Sequence, residues 1–292
     1  MAQDGHRPPA AGDGARRPPH WQTRRPVPWA LWLCVFFIYP ATLLVFRSRY
    51  RNADRIPATG GVLVVANHVS VLDPLVCARL LWDTGRSPHF LAKASIFKGF
   101  VGFVLRGAGQ IPVSRGSSAA RSSLSEAQRA LTDGHAVVIY PEGSVTRDPD
   151  WWPMQGQTGV ARLALTTDAV VLPVAQWGPQ RVHDYHSKKL HLRLRTRSEY
   201  LVGEPVDLSA LRAEVRAGRP LTGELLREVT DLLMAQVRSQ LGELRGEEPP
   251  TGFHPRPGRQ TPGEDRPGDL VGERPGDLPR DLPGGLPEDG AA

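Results

Sequence analysis

Three short clusters in this 292-residue chain hold residue types that could do chemistry. The first reads Asn67-His68-Val69-Ser70-Val71-Leu72-Asp73-Pro74. A carboxylate on one imidazole nitrogen fixes the tautomer and stabilises the imidazolium, so the other nitrogen can take a proton from a hydroxyl. Five positions separate His68 from Asp73, which on a regular helix would leave them about 140° apart and out of reach. A dyad therefore requires His68 in a loop, with the chain curling into a helix near Ser70. The same spacing also fits Ser70 as a helix cap with Asp73 favouring the N-terminal dipole.

The second cluster is Tyr140-Pro141-Glu142-Gly143-Ser144, followed by Thr146, Arg147 and Asp148. Proline stops a strand, the carboxylate follows it, and glycine lets a backbone come close to a ligand. Glu142 taken alone also fits an ordinary turn acid. The third, Gly109-Gln110-Ile111-Pro112-Val113-Ser114-Arg115-Gly116, delivers an arginine after a short apolar run. Guanidinium offers paired donors suited to a phosphate. A fourth run, Val171-Leu172-Pro173-Val174, is apolar with little chemistry in it.

The elements that must position these residues are short. Val62–Ala66, Phe90–Ala92, Ile111–Val113, Ala136–Tyr140 and Val170–Val174 are mostly β-branched runs bounded by Gly or Pro, the pattern of fully buried strands. Residues 118–133 carry a helical pattern that stops at Asp133-Gly134. Residues 221–244 place leucines and valines at helical spacing and predict a long amphipathic helix that closes the domain. Such alternation predicts an α/β fold, a largely parallel sheet flanked by helices, and both His68 and Glu142 then follow strand exits, where such sheets handle ligands. Residues 190–197 alternate strictly, which predicts a strand with His191, Arg193, Arg195 and Arg197 on one face. That face suits lipid headgroups, or a charged edge that resists aggregation.

Composition divides the chain. Apolar residues make up 40% and charged residues 23%, which excludes a wholly disordered chain and a polytopic membrane protein. The Pro/Gly-rich tail, 246–292, has five arginines against ten acids, while the arm, 1–28, has five arginines against two. The total of +6 therefore leaves the middle strongly basic, a balance that suits an anionic partner. Both ends read as disordered, and the tail repeats Arg-Pro-Gly-Asp-Leu at 266–270 and 274–278. Cys34 and Cys77 are too few for a disulfide scaffold and lack metal-ligand spacing.

Residues 27–46 carry no charge and have arginines on both sides. That length is about what a spanning helix needs, but Pro40 would kink it or split it into two short segments lying in an anionic interface. The chain thus divides into the arm 1–28, a membrane-associated segment 29–55, an α/β domain 56–245 and the tail 246–292.

The ordered set of motifs resembles the glycerolipid acyltransferase family that includes bacterial 1-acyl-glycerol-3-phosphate acyltransferases. Asn67–Pro74 reads as NHxSxxDP, Gly109–Arg115 as the arginine-bearing motif, Tyr140–Arg147 as the form usually written FPEGTRS, and Leu172–Val174 as the fourth. The resemblance covers about residues 29–240, and four motifs in order are more specific than any one. It implies a thioester donor, acyl-CoA or acyl carrier protein, and a lysophosphatidate-like acceptor whose sn-2 hydroxyl is acylated. It implies His68 as general base, Asp73 as its orienting partner, and Arg115, Glu142, Gly143 and Arg147 as substrate-binding residues. It implies neither a metal nor an organic cofactor, and it places the protein at the cytoplasmic face of an anionic cell membrane. Two departures stand out: Ser144 replaces threonine, with Arg147 two positions later than in EGTR, and Gln157 stands where similar sequences often place a lysine.

Other readings are a different lysolipid acceptor and a non-catalytic membrane scaffold with the tail as docking arm. A nucleic-acid role is disfavoured, because the charge comes with no recognisable binding motif and leaves the apolar segment without purpose. No GxSxG elbow is present, which disfavours an acyl-enzyme hydrolase.

Overall fold

Val62–Ala66 is buried at every position, and its side chains divide between the two faces of a sheet. Leu63 and Val65 enter one apolar core, while Val62 and Val64 enter the other. A strand with no wet face must lie inside a sheet covered on both sides, and this one does. The computed structural model describes residues 28–113 and 117–256, without the side chains of 117–121. Arg115, the tail repeats and the arm up to residue 27 lie outside the described residues.

In chain order the elements are α1 (Trp29–Val45), β1 (Phe46–Arg51), β2 (Val62–Ala66), α2 (Asp73–Asp83), β3 (Pro88–Lys93), α3 (Gly99–Gly107), β4 (Ile111–Val113), α4 (Ser117–Thr132) and β5 (Ala136–Ile139). Then follow α5 (Gly159–Thr166), β6 (Val170–Trp177), the short pair β7 (His183–Asp184) and β8 (Lys189–Leu190), β9 (Thr196–Val202), α6 (Ser209–Arg216) and α7 (Gly223–Arg245). Seven strands form one sheet in the order β1-β9-β6-β2-β5-β3-β4. Every neighbouring pair is parallel except β6 with β9. The expected architecture, a largely parallel sheet flanked by helices, is the one observed.

The helices cover both faces. α7 lays Leu225, Val229, Leu233, Val237 and Leu241 inward, each burial contributing roughly 1.5–3 kcal/mol before entropic costs. Its ends follow from local chemistry. The Thr222 side chain accepts the Leu225 N–H, and Gly246 takes the left-handed conformation (φ 68°) that ends a helix. α4 stops at Gly134 (φ 79°) as the Asp-Gly pair predicts.

Pro40 does not split the N-terminal segment, for α1 runs unbroken through it. A missing donor at one position is offset by neighbours. Thr42 Oγ1 donates to the Tyr39 carbonyl at 2.7 Å, Trp32 meets Trp82 of α2 edge-on at 5.5 Å, and Tyr39 Oη donates to Asp83 at 2.7 Å. No helix among the described residues is long and apolar enough to cross a membrane. The segment drawn as 29–55 also includes β1, which pairs in parallel with β9 inside the sheet.

Residues 190–197 do not form one strand. Only Lys189–Leu190 pairs with β7, and β9 begins at Thr196. Between them Arg193 N–H bonds back to the His191 carbonyl at 2.7 Å, and Arg195 adopts φ 57°, which breaks an extended chain. His191, Arg193 and Arg195 therefore lie on an exposed loop, and Arg197 alone of the four sits in β9.

Candidate active site

The site is built where β2 and β5 end side by side, with Val65 in register with Ile139. β2 delivers Asn67 and His68, and β5 delivers Tyr140 to Glu142. β6 lies on the other side of β2, with Ala66 opposite Val174. There Asn67 and Gln176 form a buried amide clasp. The Asn67 side chain donates to the Gln176 carbonyl at 3.0 Å and accepts its N–H at 2.8 Å, and Gln176 Nε2 donates to the Asn67 carbonyl at 2.5 Å. The residue before the histidine is thus pinned to the sheet.

His68 does sit in a loop, as the dyad requires. Its Nδ1 lies 2.8 Å from Asp73 Oδ2, and the same oxygen accepts the N–H groups of Val69 (2.6 Å) and Ser70 (2.8 Å). Asp73 is the first residue of α2 and is fully buried. Burial pushes its carboxyl up, while the His68 ring and the two N–H groups pull it down. One carboxylate thus orients the imidazole and also folds the turn that starts the helix. Ser70 is not the helix cap, which is Leu72 without a side-chain bond. Its hydroxyl instead accepts the Leu72 N–H at 3.3 Å and donates to the His183 carbonyl at 3.0 Å.

Among the described residues His68 Nε2 makes no hydrogen bond, and the side chain retains 15% exposure. The Tyr140 ring stacks on the imidazole with centroids 4.4 Å apart and planes at 22°. The ring is thus held from two directions, by a carboxylate on Nδ1 and an aromatic face. Its remaining nitrogen can take a proton.

Glu142 holds the main chain of His68. It is 2% exposed, and its oxygens accept the N–H of His68 (2.8 Å) and of Met154 (2.9 Å). Burial pushes its carboxyl up to about 8, against the pull of those two N–H groups. The His68 carbonyl in turn accepts the Thr146 N–H at 2.8 Å. Both main-chain groups of His68 are therefore held by the second cluster.

Gly143 and Arg147 reach the open side. Gly143 has φ 74°, and a Cβ there would stand 2.0 Å from Gln157 Nε2. Gln157, exposed, packs over this turn and receives the site's local geometry through its own N–H, bonded to the Pro141 carbonyl at 2.7 Å. Arg147 Nη2 donates to Tyr185 Oη at 2.9 Å, with the guanidinium 4.9 Å from the ring centroid. That leaves a positively charged group exposed at the rim, a suitable partner for an anion.

Sequence reasoning missed the β7–β8 hairpin. It bonds Ser70 through His183, meets Arg147 through Tyr185, and places His186 Nε2 3.0 Å from the Thr146 carbonyl. Trp151, at φ 66°, stacks on His186 with centroids 3.9 Å apart. The only advance signal was a run of His, Tyr and Lys that no periodicity places.

Residues 47–177 match the family model described as Acyltransferase. Among individual proteins, the chain is 31% identical over 126 residues to a 1-acyl-sn-glycerol-3-phosphate acyltransferase of Borreliella burgdorferi, covering 42% of this chain and 48% of that protein. It is 29% identical over 159 residues to the 1-acyl-sn-glycerol-3-phosphate acyltransferase alpha of Mus musculus, covering 54% and 53%. The chain thus spans about half the length of these curated relatives. The crystal structure of the 1-acyl-sn-glycerophosphate (LPA) acyltransferase PlsC from Thermotoga maritima shares the fold, with a TM-score of 0.53, 22% identity and coverage of 79% of this chain and 87% of that one.

Proposed function

We propose that this domain is a 1-acylglycerol-3-phosphate O-acyltransferase, moving a fatty acyl group from acyl-CoA or acyl carrier protein to the sn-2 hydroxyl of 1-acyl-glycerol-3-phosphate at the cytoplasmic face of a membrane. The observation that carries it is the His68–Asp73 pair, joined at 2.8 Å through Nδ1 with Nε2 left for a substrate hydroxyl. The names of the relatives support the lipid acceptor.

In the reaction His68 Nε2 takes the acceptor hydroxyl proton as the oxygen attacks the thioester carbonyl, and Asp73 stabilises the imidazolium. The tetrahedral intermediate collapses, the C–S bond breaks, and the thiolate recovers the proton from His68. No side-chain nucleophile is needed. Arg147 faces the acceptor phosphate, and Arg115 is assigned the same task from its motif. Glu142 acts through His68 as a positioning residue, and Gly143 keeps the turn low enough for the acceptor to approach.

One observation favours a variation on the acceptor. Gln157 places an uncharged amide over Gly143, so a different lysolipid headgroup is the second reading. Purified protein given acyl-CoA and lysophosphatidate should release free thiol, and a panel of acceptors separates the two readings. Absence of release with every acceptor, or full release by His68→Ala, sinks the proposal.

A further inference from the structure

Residues 186–195 are exposed at every position and contain no acid. Three leucines alternate there, with Leu190, Leu192 and Leu194 exposed by 57%, 75% and 63%. A single exposed leucine is ordinary, but three within five positions, interleaved with cations, form an amphipathic strap. Lys188, Lys189 and Arg193 make no ion pair among the described residues. The charge is therefore available to an outside anion.

Main-chain bonds fix the strap while its side chains face out. His191 N–H bonds to the Val182 carbonyl at 2.7 Å, and Arg195 N–H bonds to the Leu44 carbonyl at 3.0 Å. The second bond joins the strap to the end of α1, where Leu43 and Leu44 are also exposed. At its other end the hairpin bonds to the loops that carry His68 and Arg147. One structure thus links an apolar, cationic rim to the site.

We propose that this strap is a membrane-contact element in its own right, laying Leu190, Leu192 and Leu194 into an anionic bilayer surface while Lys188, Lys189 and Arg193 meet lipid phosphates. Resting on the lipid reading above, it adds the place where this chain meets its substrate's phase. Leucine stems gain by leaving water, and cations near an anionic surface gain with each charge. Charge complementarity selects the bilayer, because an apolar partner protein would leave the interleaved cations without counter-charges.

The test uses the full chain with Cys34→Ser and Leu192→Cys, carrying a polarity-sensitive fluorophore on the new thiol, since Cys77 is buried. Vesicles of phosphatidylcholine with phosphatidylglycerol should shift its emission to the blue, and pure phosphatidylcholine less so. Lys188→Gln, Lys189→Gln and Arg193→Gln should each weaken binding to the anionic vesicles by about fivefold. A fluorophore that still reports water while the protein sediments with vesicles overturns the proposal, as does failure to bind vesicles. Thiol release from acyl-CoA with acceptor in detergent micelles is measured in parallel. Release without a blue shift discards the strap and leaves the reaction, and a blue shift without release does the converse.

Discussion

Glu142 Oε1 holds the main-chain N–H of His68 at 2.8 Å, so the proposed base is set in place by a carboxyl group that scarcely meets solvent. Substituting Glu142→Gln keeps the shape but turns one acceptor into a donor facing either the His68 or the Met154 N–H. A displacement of the His68 backbone by a fraction of an ångström should lower kcat by about 10²-fold with KM for the acceptor little changed. Steady-state kinetics across acceptor concentrations checks the split. A dominant rise in KM would return Glu142 to acceptor binding.

The same residue makes stability depend on pH. Burial raises the Glu142 carboxyl from 4.5 to about 8 in the folded state. The folded chain therefore holds a proton that the unfolded chain has released, and stability falls as pH rises from about 4.5 towards about 8. Urea unfolding at a series of pH values should show that decline, and Glu142→Gln should flatten it. Asp73, also raised by burial, contributes a slope of the same sign that the variant leaves in place.

His68→Ala removes the proton acceptor and should reduce kcat by about 10²–10⁴-fold, with some loss of thermal stability because buried Asp73 loses its imidazole partner. Asp73→Asn should be the less stable of the two, since Asp73 Oδ2 also accepts from Val69 and Ser70 inside the protein. Rate and melting temperature together distinguish a lost base from a lost turn.

Arg147 is aimed by Tyr185. Arg147→Ala should raise KM for a phosphate-bearing acceptor by about tenfold, equivalent to one charge-assisted contact. Tyr185→Phe should have the same direction and smaller size. A neutral acceptor analogue should show neither effect.

Gly143→Ala tests why glycine stands at that turn. The left-handed conformation costs a side-chain-bearing residue about 1–2 kcal/mol, and the new methyl would also meet Gln157. Gln157 can swing away because it is exposed, so Gln157→Ser in the same chain should restore little of the lost stability. Denaturant midpoints of the single and double variants decide between backbone strain and crowding.

Much of this arrangement was legible because its signals are local. Val62–Ala66 and Ile111–Val113 are read to the residue, since a continuous β-branched run has one stable use. His68 and Asp73 stand out by chemical type, but their spacing fits a dyad and a helix cap alike, and the resemblance in four ordered motifs is what favours the dyad. The hairpin was not legible, since His183–Asp184 pairs only with Lys189–Leu190, and four residues in two strands leave no period. Alternation at 190–197 misled for a related reason. It records only that two kinds of side chain alternate, but a strand also needs a neighbour, and the sheet begins to supply one at Thr196.

The role of Glu142 was hidden by another limit. Its motif announces a carboxylate at a strand exit, but both of its partners are main-chain N–H groups, which every non-proline residue offers. No pattern of side chains could name Met154 as the second. Pro40 likewise announces a break, while the contacts from Trp82 and Asp83 that sustain the helix come from far along the chain.

The central place of β2 governs how the site comes into being. Its two neighbours, β5 and β6, are synthesised long after it, and Val62 must wait for both Ala136 and Val170. Closing such long loops is entropically slow and rewards the chain only when both are made. His68 therefore acquires its surroundings at the end of folding, and a nascent or truncated chain lacking β6 holds the motif without the machine.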